Sequence, residues 1–207
     1  MVKVVCPRCG RVGSYRYFAV NHGDRICYLG RNPVLRVPYD RLKAFRFFGA
    51  DTPLIDVILS LVPPHQTYVE VFGGSATVLL SKPPSRVEVY NDRSLDLYNL
   101  FLCYRDYIDE MVEEAKYILY HRALFKTFKE ELRKPFKPPD PRRAVMFLAT
   151  TIMSIDGRLG SGFSTSLTVN NSKHLRYLME EHLRRVHRRL RRVVIECLDF
   201  EEVIRRY

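Results

Sequence analysis

The feature that most constrains this chain is a strand that runs into paired glycines and is answered by an acid after a second strand. Residues 67–72, TYVEVF, are β-branched and aromatic and end on Gly73-Gly74-Ser75. A short helical stretch, Ala76 to Leu80, follows, then RVEVY over 86–90, closed by Asn91-Asp92. Glycines at the first turn let backbone approach a ligand, and an acid about 20 residues further on lies where the ribose hydroxyls of a bound nucleoside sit. Either half alone is weak. Together they predict half of a parallel, nucleoside-binding sheet.

The flanking pattern agrees. Pro53 opens a helix over Leu54–Leu61 that stops at Pro63-Pro64, and Leu95–Tyr104 forms another. Apolar positions at helical spacing run through 106–133, and Pro135 to Pro141 breaks them. Ala144–Ile155 is a buried segment whose pattern leaves helix and strand open. Gly157–Gly162 is expected to be a flexible loop. Ser172–Leu190 reads as a helix with a basic end, and VVIECLDF, 193–200, as a third strand. Cys103 and Cys197 are expected in the core, and His65, His121, His182 and His187 as structural or surface residues.

The first 31 residues differ in kind. They hold three of the five cysteines, with Tyr15 and Tyr17 on alternating positions, in a segment too short to bury a core. Cys6-Pro-Arg-Cys9 presents two thiolates from one turn, Gly10 suits that turn, and His22 with Cys27 supplies the second pair. We expect a structural zinc held by Cys6, Cys9, His22 and Cys27, closed by four protein ligands and therefore not catalytic. Residues 32–44, with Pro33 and Pro38, read as a linker.

Lys and Arg total 34 against 23 Asp and Glu, a formal charge of +11 that points to a polyanionic partner. No apolar run reaches the roughly 18 residues of a membrane span, and the opening MVKVVCPRCG has no secretory h-region. A cytoplasmic protein without a membrane partner is expected.

The stretch Arg46–Phe101 closely resembles the opening of the Dam-type, alpha-group adenine-specific DNA methyltransferases. The resemblance resumes over Arg142–Tyr207, with RRAVMFLATTIMSIDG, a Ser-rich loop, NNSKHL and RRVVIECLDFEEVIRRY in the family's order. It implies an incomplete Rossmann-like methyltransferase sheet (45–110), a helical target-recognition insert (111–190) and a returning strand with a C-terminal helix (191–207). The leading segment looks like an archaeal zinc ribbon appended to that enzyme.

By this resemblance Glu70, Phe72, Gly73, Gly74 and Ser75 shape the pocket for the methionine part of S-adenosylmethionine. Asp92 holds the ribose, Asp199 and Phe200 flank the cofactor's adenine, and Phe47, Phe48 and Gly49 begin the N-terminal cofactor motif. That motif usually reads G-G-K. Here it is Gly49-Ala50-Asp51, which puts an anion where the family has a cation, and Val71 replaces the usual proline.

The family's chemistry also needs D-P-P-Y or a close relative. Its side chain and a proline carbonyl accept hydrogen bonds from the target amino group, while the aromatic ring stacks on the flipped base. Here the Pro-Pro pairs occur as VPPH, KPPS and KPPD. The expectation is a split N6-adenine DNA methyltransferase, serving restriction-modification or another DNA-methylation role. This chain, inactive alone, would bind cofactor and double-stranded DNA, and a second polypeptide would bring D-P-P-Y and further strands. The alternative is a catalytically inactive DNA-binding remnant or regulator.

For DNA contact the resemblance favours Arg158, Ser161 and Lys173 around the glycine-rich loop. The cluster Arg184, Arg185, Arg188, Arg189, Arg191 and Arg192 either touches phosphates, through Arg184 and Arg188, or forms a solvated face partnered by Glu180 and Glu181.

Overall fold

The computed structural model describes residues 2–6, 9–16, 19–24, 26–28, 42–45, 47 and 54–207. The expectations for Phe48, Gly49, Asp51, Pro53 and most of the linker lie outside these residues.

The amino-terminal segment is a four-stranded antiparallel meander of β1 (Val2–Val5), β2 (Val12–Arg16), β3 (Ala19–Asn21) and β4 (Ile26–Tyr28), paired in chain order. Among its described residues the only fully buried apolar side chains are Cys6 and Val20.

The remainder is α/β. Helix α1 (Ile55–Leu61) ends where Pro63-Pro64 forbids continuation. Strands β5 (Thr67–Glu70), β6 (Val87–Asn91) and β7 (Val193–Glu196) form a parallel sheet in the order β5-β6-β7. The central strand is the most buried, with Glu88 through Asn91 all enclosed, as a parallel sheet covered by helices requires. On β5 no residue is fully buried, and among the described residues it pairs only with β6.

Helix α2 (Thr77–Ser81) joins β5 to β6, and α3 (Leu95–Asp106) follows β6 with the Ser94 hydroxyl accepting from the Leu97 amide. The long helical reading of 106–133 resolves into α4 (Ile108–Ala115) and α5 (Arg122–Glu131). The undecided segment is helix α6 (Pro141–Met153), started by Asp140 as N-cap with Pro141 in its first turn. Its neighbour α3 grips it tightly. The Arg143 guanidinium meets Asp96 at 2.7 Å, while the Asn99 amide exchanges hydrogen bonds with the Asp140 backbone at 2.8 and 2.9 Å. One apolar core therefore runs from the sheet through α3 into α4, α5 and α6.

Two expectations change, and a third gains a detail. Residues 171–190 are helical throughout, and a π-helical bulge over Leu178–His182 divides the run into α7 (Asn171–Tyr177) and α8 (Leu183–Leu190). The third strand stops at Glu196, and Phe200 begins helix α9 (Phe200–Arg206), capped by the Asp199 carboxylate. Cys197 lies beyond the strand and is only half-buried, whereas Cys103 is fully buried as expected. The histidines are structural or exposed. His187 Nδ1 donates to the Tyr104 carbonyl at 2.9 Å, and buried His182 meets the Lys43 carbonyl.

No described helix is long and apolar enough to cross a membrane.

Candidate functional site

The carboxyl ends of the three parallel strands meet at Asn91, whose buried side-chain amide donates to Val71 O at 2.9 Å and Leu198 O at 3.1 Å. Its oxygen accepts from Leu198 N at 2.8 Å, so one residue pins the exits of β5 and β7 to β6. The next residue, Asp92, is half-buried and projects toward the glycine turn. One carboxylate oxygen accepts from the Gly74 amide and the other from the Ser94 amide, both at 2.9 Å. Each oxygen keeps a second lone pair, the acceptor set that a vicinal diol needs.

The glycines serve the fold as well as the turn. A Cβ on Gly73 would stand 2.2 Å from the Tyr90 ring, and the Tyr90 hydroxyl donates to Gly74 O at 2.8 Å. Close approach to a neighbouring side chain, in addition to any ligand, thus demands glycine at 73. Gly74 takes φ of +51°, where side chains are strained. Past it, Ala76 also has positive φ, and α2 is only five residues long. The Glu70 carboxylate accepts from Leu79 N at 2.9 Å, so that amide is spent on the chain's own acid. Ser75 is buried and shares a hydrogen bond with Thr77 at 2.8 Å.

Around this turn lie three of the expected aromatic residues. Phe72, 77% exposed, approaches Phe200 with ring centroids 5.9 Å apart, and Phe47 packs edge-on against Phe45. Asp199 pairs with Arg93 at 3.3 Å. The strand ends thus bring together Glu70, Phe72, Gly73, Gly74, Ser75, Asp92, Asp199 and Phe200. An exposed aromatic surface beside a partly satisfied carboxylate suits a nucleoside.

The model of the D12 class N6 adenine-specific DNA methyltransferases matches residues 47–207. The chain belongs to this family. No curated protein matches the sequence. Members methylate adenine in DNA, and methyltransferases of this kind generally draw the methyl group from S-adenosylmethionine. The donor set at the strand ends fits that cofactor. Asp92 would hold its ribose, and the Phe72 and Phe200 rings would contribute apolar contact. When bound, the cofactor supplies an electrophilic methyl group.

The residues expected on DNA in this D12-class chain fall into two groups. Arg158 and Ser161 belong to a loop more ordered than the glycines suggest. Ser154 bridges to Phe163, Ile155 N donates to Gly162 O at 3.1 Å, and the Ser161 hydroxyl donates to Arg158 O at 2.7 Å. Lys173, exposed, lies in the first turn of α7. Arg184 instead reaches Asp109 of α4 at 3.0 Å, and Arg188 is exposed. Of the proposed partners on its own helix, Glu180 pairs with Arg176 at 3.9 Å.

Arg189 is almost buried and forks onto Glu88 at 2.5 and 2.9 Å, with Lys82 on the same carboxylate at 2.6 Å. Burial pushes the Glu88 carboxyl up, but the hydrogen bonds from Arg189 and Lys82 outweigh it and hold the group below its ordinary value.

In the ribbon, ligand atoms of Cys6, Cys9, His22 and Cys27 all lie within 4.8 Å of one another. Cys9 Sγ stands 3.9 Å from Cys27 Sγ and 3.4 Å from His22 Nε2. A zinc with sulfur ligands at ~2.3 Å sets a tetrahedral sulfur–sulfur edge of about 3.8 Å. His22 Nδ1 lies 3.1 Å from Val12 O, placed to donate to it and leave Nε2 for a metal. The turn is built for the purpose. Cys6 N donates to Arg11 O and Gly10 N to Cys6 O, with Gly10 at φ of +69°. These residues fit a metal ion.

Sequence reasoning missed the basic face of α5. Its lysines and arginines are spaced among buried phenylalanines, and no motif marks them.

Proposed function

We propose that this chain is the S-adenosylmethionine-binding, DNA-recognising subunit of a split N6-adenine DNA methyltransferase. The Asp92 carboxylate carries this reading. It is fixed by the Gly74 and Ser94 amides at the end of the central strand, with acceptor capacity left for a ribose. Glu70, Gly73 and Ser75 set the shape of the turn, Phe47, Phe72, Asp199 and Phe200 complete the cofactor's surroundings, and the family resemblance adds Phe48 and Gly49 to the cofactor motif.

The D-P-P-Y element does not occur in these 207 residues. In this reading it comes from a second polypeptide. The β5 edge, paired on one side only among the described residues, supports an added strand. The partner's element would orient the target amine toward the methyl group, a contribution of positioning and electrostatics without a covalent intermediate.

Calorimetry of the chain with S-adenosylmethionine tests the cofactor reading. Binding that is lost in Asp92→Ala is expected, and no binding by the wild-type chain would refute it. Recovery of the chain from its host with a stoichiometric D-P-P-Y protein, whose addition starts labelled-methyl transfer to duplex DNA, tests the split. A chain that comes back with nucleic acid alone would favour an inactive DNA-binding remnant.

The same reading assigns a structural zinc to Cys6, Cys9, His22 and Cys27. A segment of about 30 residues is too short to bury a core of its own, so the ion would supply its folding energy. One zinc per chain by elemental analysis is expected. Chelation should abolish hydrogen-exchange protection of β1–β4 while leaving α3 and α6 protected. A ribbon equally protected without metal would refute the assignment.

A further inference from the structure

Helix α5 carries Arg122, Lys126 and Lys129, and the turn beyond it Arg133. The spacing of four, three and four residues sets these cations along one side of the helix axis. The opposite side is anchored in the core by Phe128. Across from the basic line stands the ordered loop 157–163. Between them lies a cleft of about 360 Å³ whose walls include all four cations.

Its floor is aromatic. The Arg122 guanidinium lies 4.8 Å above the Phe163 ring, and Lys129 Nζ lies 5.3 Å from the Phe125 ring. Lys129 also donates to Ser161 O at 2.9 Å, which fixes the loop against the helix. Tyr120 and Phe125 pack on Phe163 from below, and Tyr120 hydrogen-bonds Ser164 O.

What distinguishes this cleft is the state of its charges. Among the described residues none of the four cations forms an ion pair with a carboxylate, and the one acid on the wall is the exposed Glu130. The second basic cleft, about 250 Å³ beside Lys82, Arg188 and Arg189, is different. There Lys82 spends its donors on Pro83 O, the Ser85 hydroxyl and Glu88, and Arg189 is committed to Glu88.

A rigid row of uncompensated cations costs self-repulsion that a protein recovers by binding a polyanion and releasing its counterions. We infer that the cleft between α5 and the loop 157–163 seats the phosphate backbone of double-stranded DNA, with Arg122, Lys126, Lys129 and Arg133 as the phosphate contacts. The inference rests on the DNA-methylating reading for the identity of the polyanion, and within the expected recognition insert it assigns the phosphate contact to this one face of α5.

The test is fluorescence anisotropy of the full chain with a labelled duplex across a salt series. The wild type is compared with the triple variant Arg122→Gln, Lys126→Gln and Arg133→Gln. Lys129 is kept because it also holds the loop. The control removes three positive charges elsewhere, through Arg176→Gln, Arg205→Gln and Arg206→Gln, each from an exposed i,i+4 pair, with Arg206 also reaching Glu196 at 3.5 Å.

The triple variant should lose on the order of 100-fold in affinity near 0.1 M salt. The slope of log K against log salt should become shallower by about one per removed cation. The control should change both far less. Equal losses in the two variants, an unchanged slope, or no duplex binding by the wild type would overturn the inference. Calorimetry with S-adenosylmethionine separates the two readings. A chain that binds duplex through α5 but no cofactor refutes the proposed function alone. One that binds cofactor while its duplex affinity ignores the triple variant refutes this inference alone.

Discussion

Helices α5 and α8 look alike in the sequence, and the fold treats them in opposite ways. Each alternates basic residues with apolar ones, and α8 is the more heavily charged, with Arg184, Arg185, Arg188 and Arg189 in eight residues. Yet three of the four arginines of α8 are committed to partners within the molecule, and one of them, Arg189, is nearly buried. Arg189 reaches Glu88 and Leu79 O, Arg184 reaches Asp109, and Arg185 donates to the Tyr177 hydroxyl at 3.1 Å. The cations of α5 meet no carboxylate among the described residues and face a cleft. Charge density therefore does not tell a binding face from a structural one. What decides is whether acids from distant segments are folded onto the cations, and Glu88 is 101 residues away from Arg189.

The sharpest way to break this contrast is to remove the acid beneath α8. Glu88→Gln leaves Lys82 and Arg189 buried against a neutral amide, and losing one partner of a buried charge network costs about 3–5 kcal/mol. Urea unfolding at neutral pH measures it, and a loss below about 1 kcal/mol would place Glu88 in the weak class of surface pairs. Replacing all three together, Lys82→Met with Glu88→Leu and Arg189→Met, should recover most of the loss, because buried ionic clusters are often no more stable than apolar ones of similar volume.

The pH dependence follows with a definite sign. The folded-state value of Glu88 lies below its ordinary 4.5, so its contribution is fully present above that value. It is lost as pH falls through the folded-state value. The wild type should therefore lose stability on acidification below about 4.5 in a way that Glu88→Gln does not. Parallel acid limbs in the two proteins would contradict the assignment.

How much of this was legible in the sequence follows the range of the interactions. The βαβ half was readable because its glycines, strand pattern and Asp92 lie within one local signature, and the Asp92–Gly74 bond joins its two ends. Ala144–Ile155 stayed undecided between helix and strand because α6 is enclosed on nearly every side, from Ala144 and Phe147 through Thr150 to Met153. Burial all round leaves no period to read. The third strand was overrun because Asp199-Phe200 looks like its continuation, whereas the Asp199 carboxylate accepts from Glu201 N and turns the chain into a helix.

At the candidate site, the reason for Gly73 was hidden in the neighbouring strand, where the Tyr90 ring fills the space a Cβ would take. The cysteine cluster was legible from spacing alone, and the described fold brings all four ligand atoms together. The α5 cleft was not legible. Its floor depends on Phe163 from a later loop, and the absence of carboxylates opposite its cations is a property of the folded surface.

A smaller effect separates the outer edges of the two helices. The Arg184–Asp109 pair is close, but both side chains are about half-exposed or more, so solvent screens it. Arg184→Ala should cost less than about 1 kcal/mol in the same urea assay, and the cost should shrink in high salt. Lys126→Ala on α5 should cost least of all, within about 0.5 kcal/mol, because the residue is exposed, makes no ion pair and alanine favours the helix. Its signature lies elsewhere, in a duplex-binding salt slope reduced by about one. Arg184→Ala should leave that slope nearly as it was. If the two variants exchange these signatures, so that Lys126→Ala destabilises the fold and Arg184→Ala flattens the salt dependence, then α8 is the nucleic-acid face and α5 the structural one.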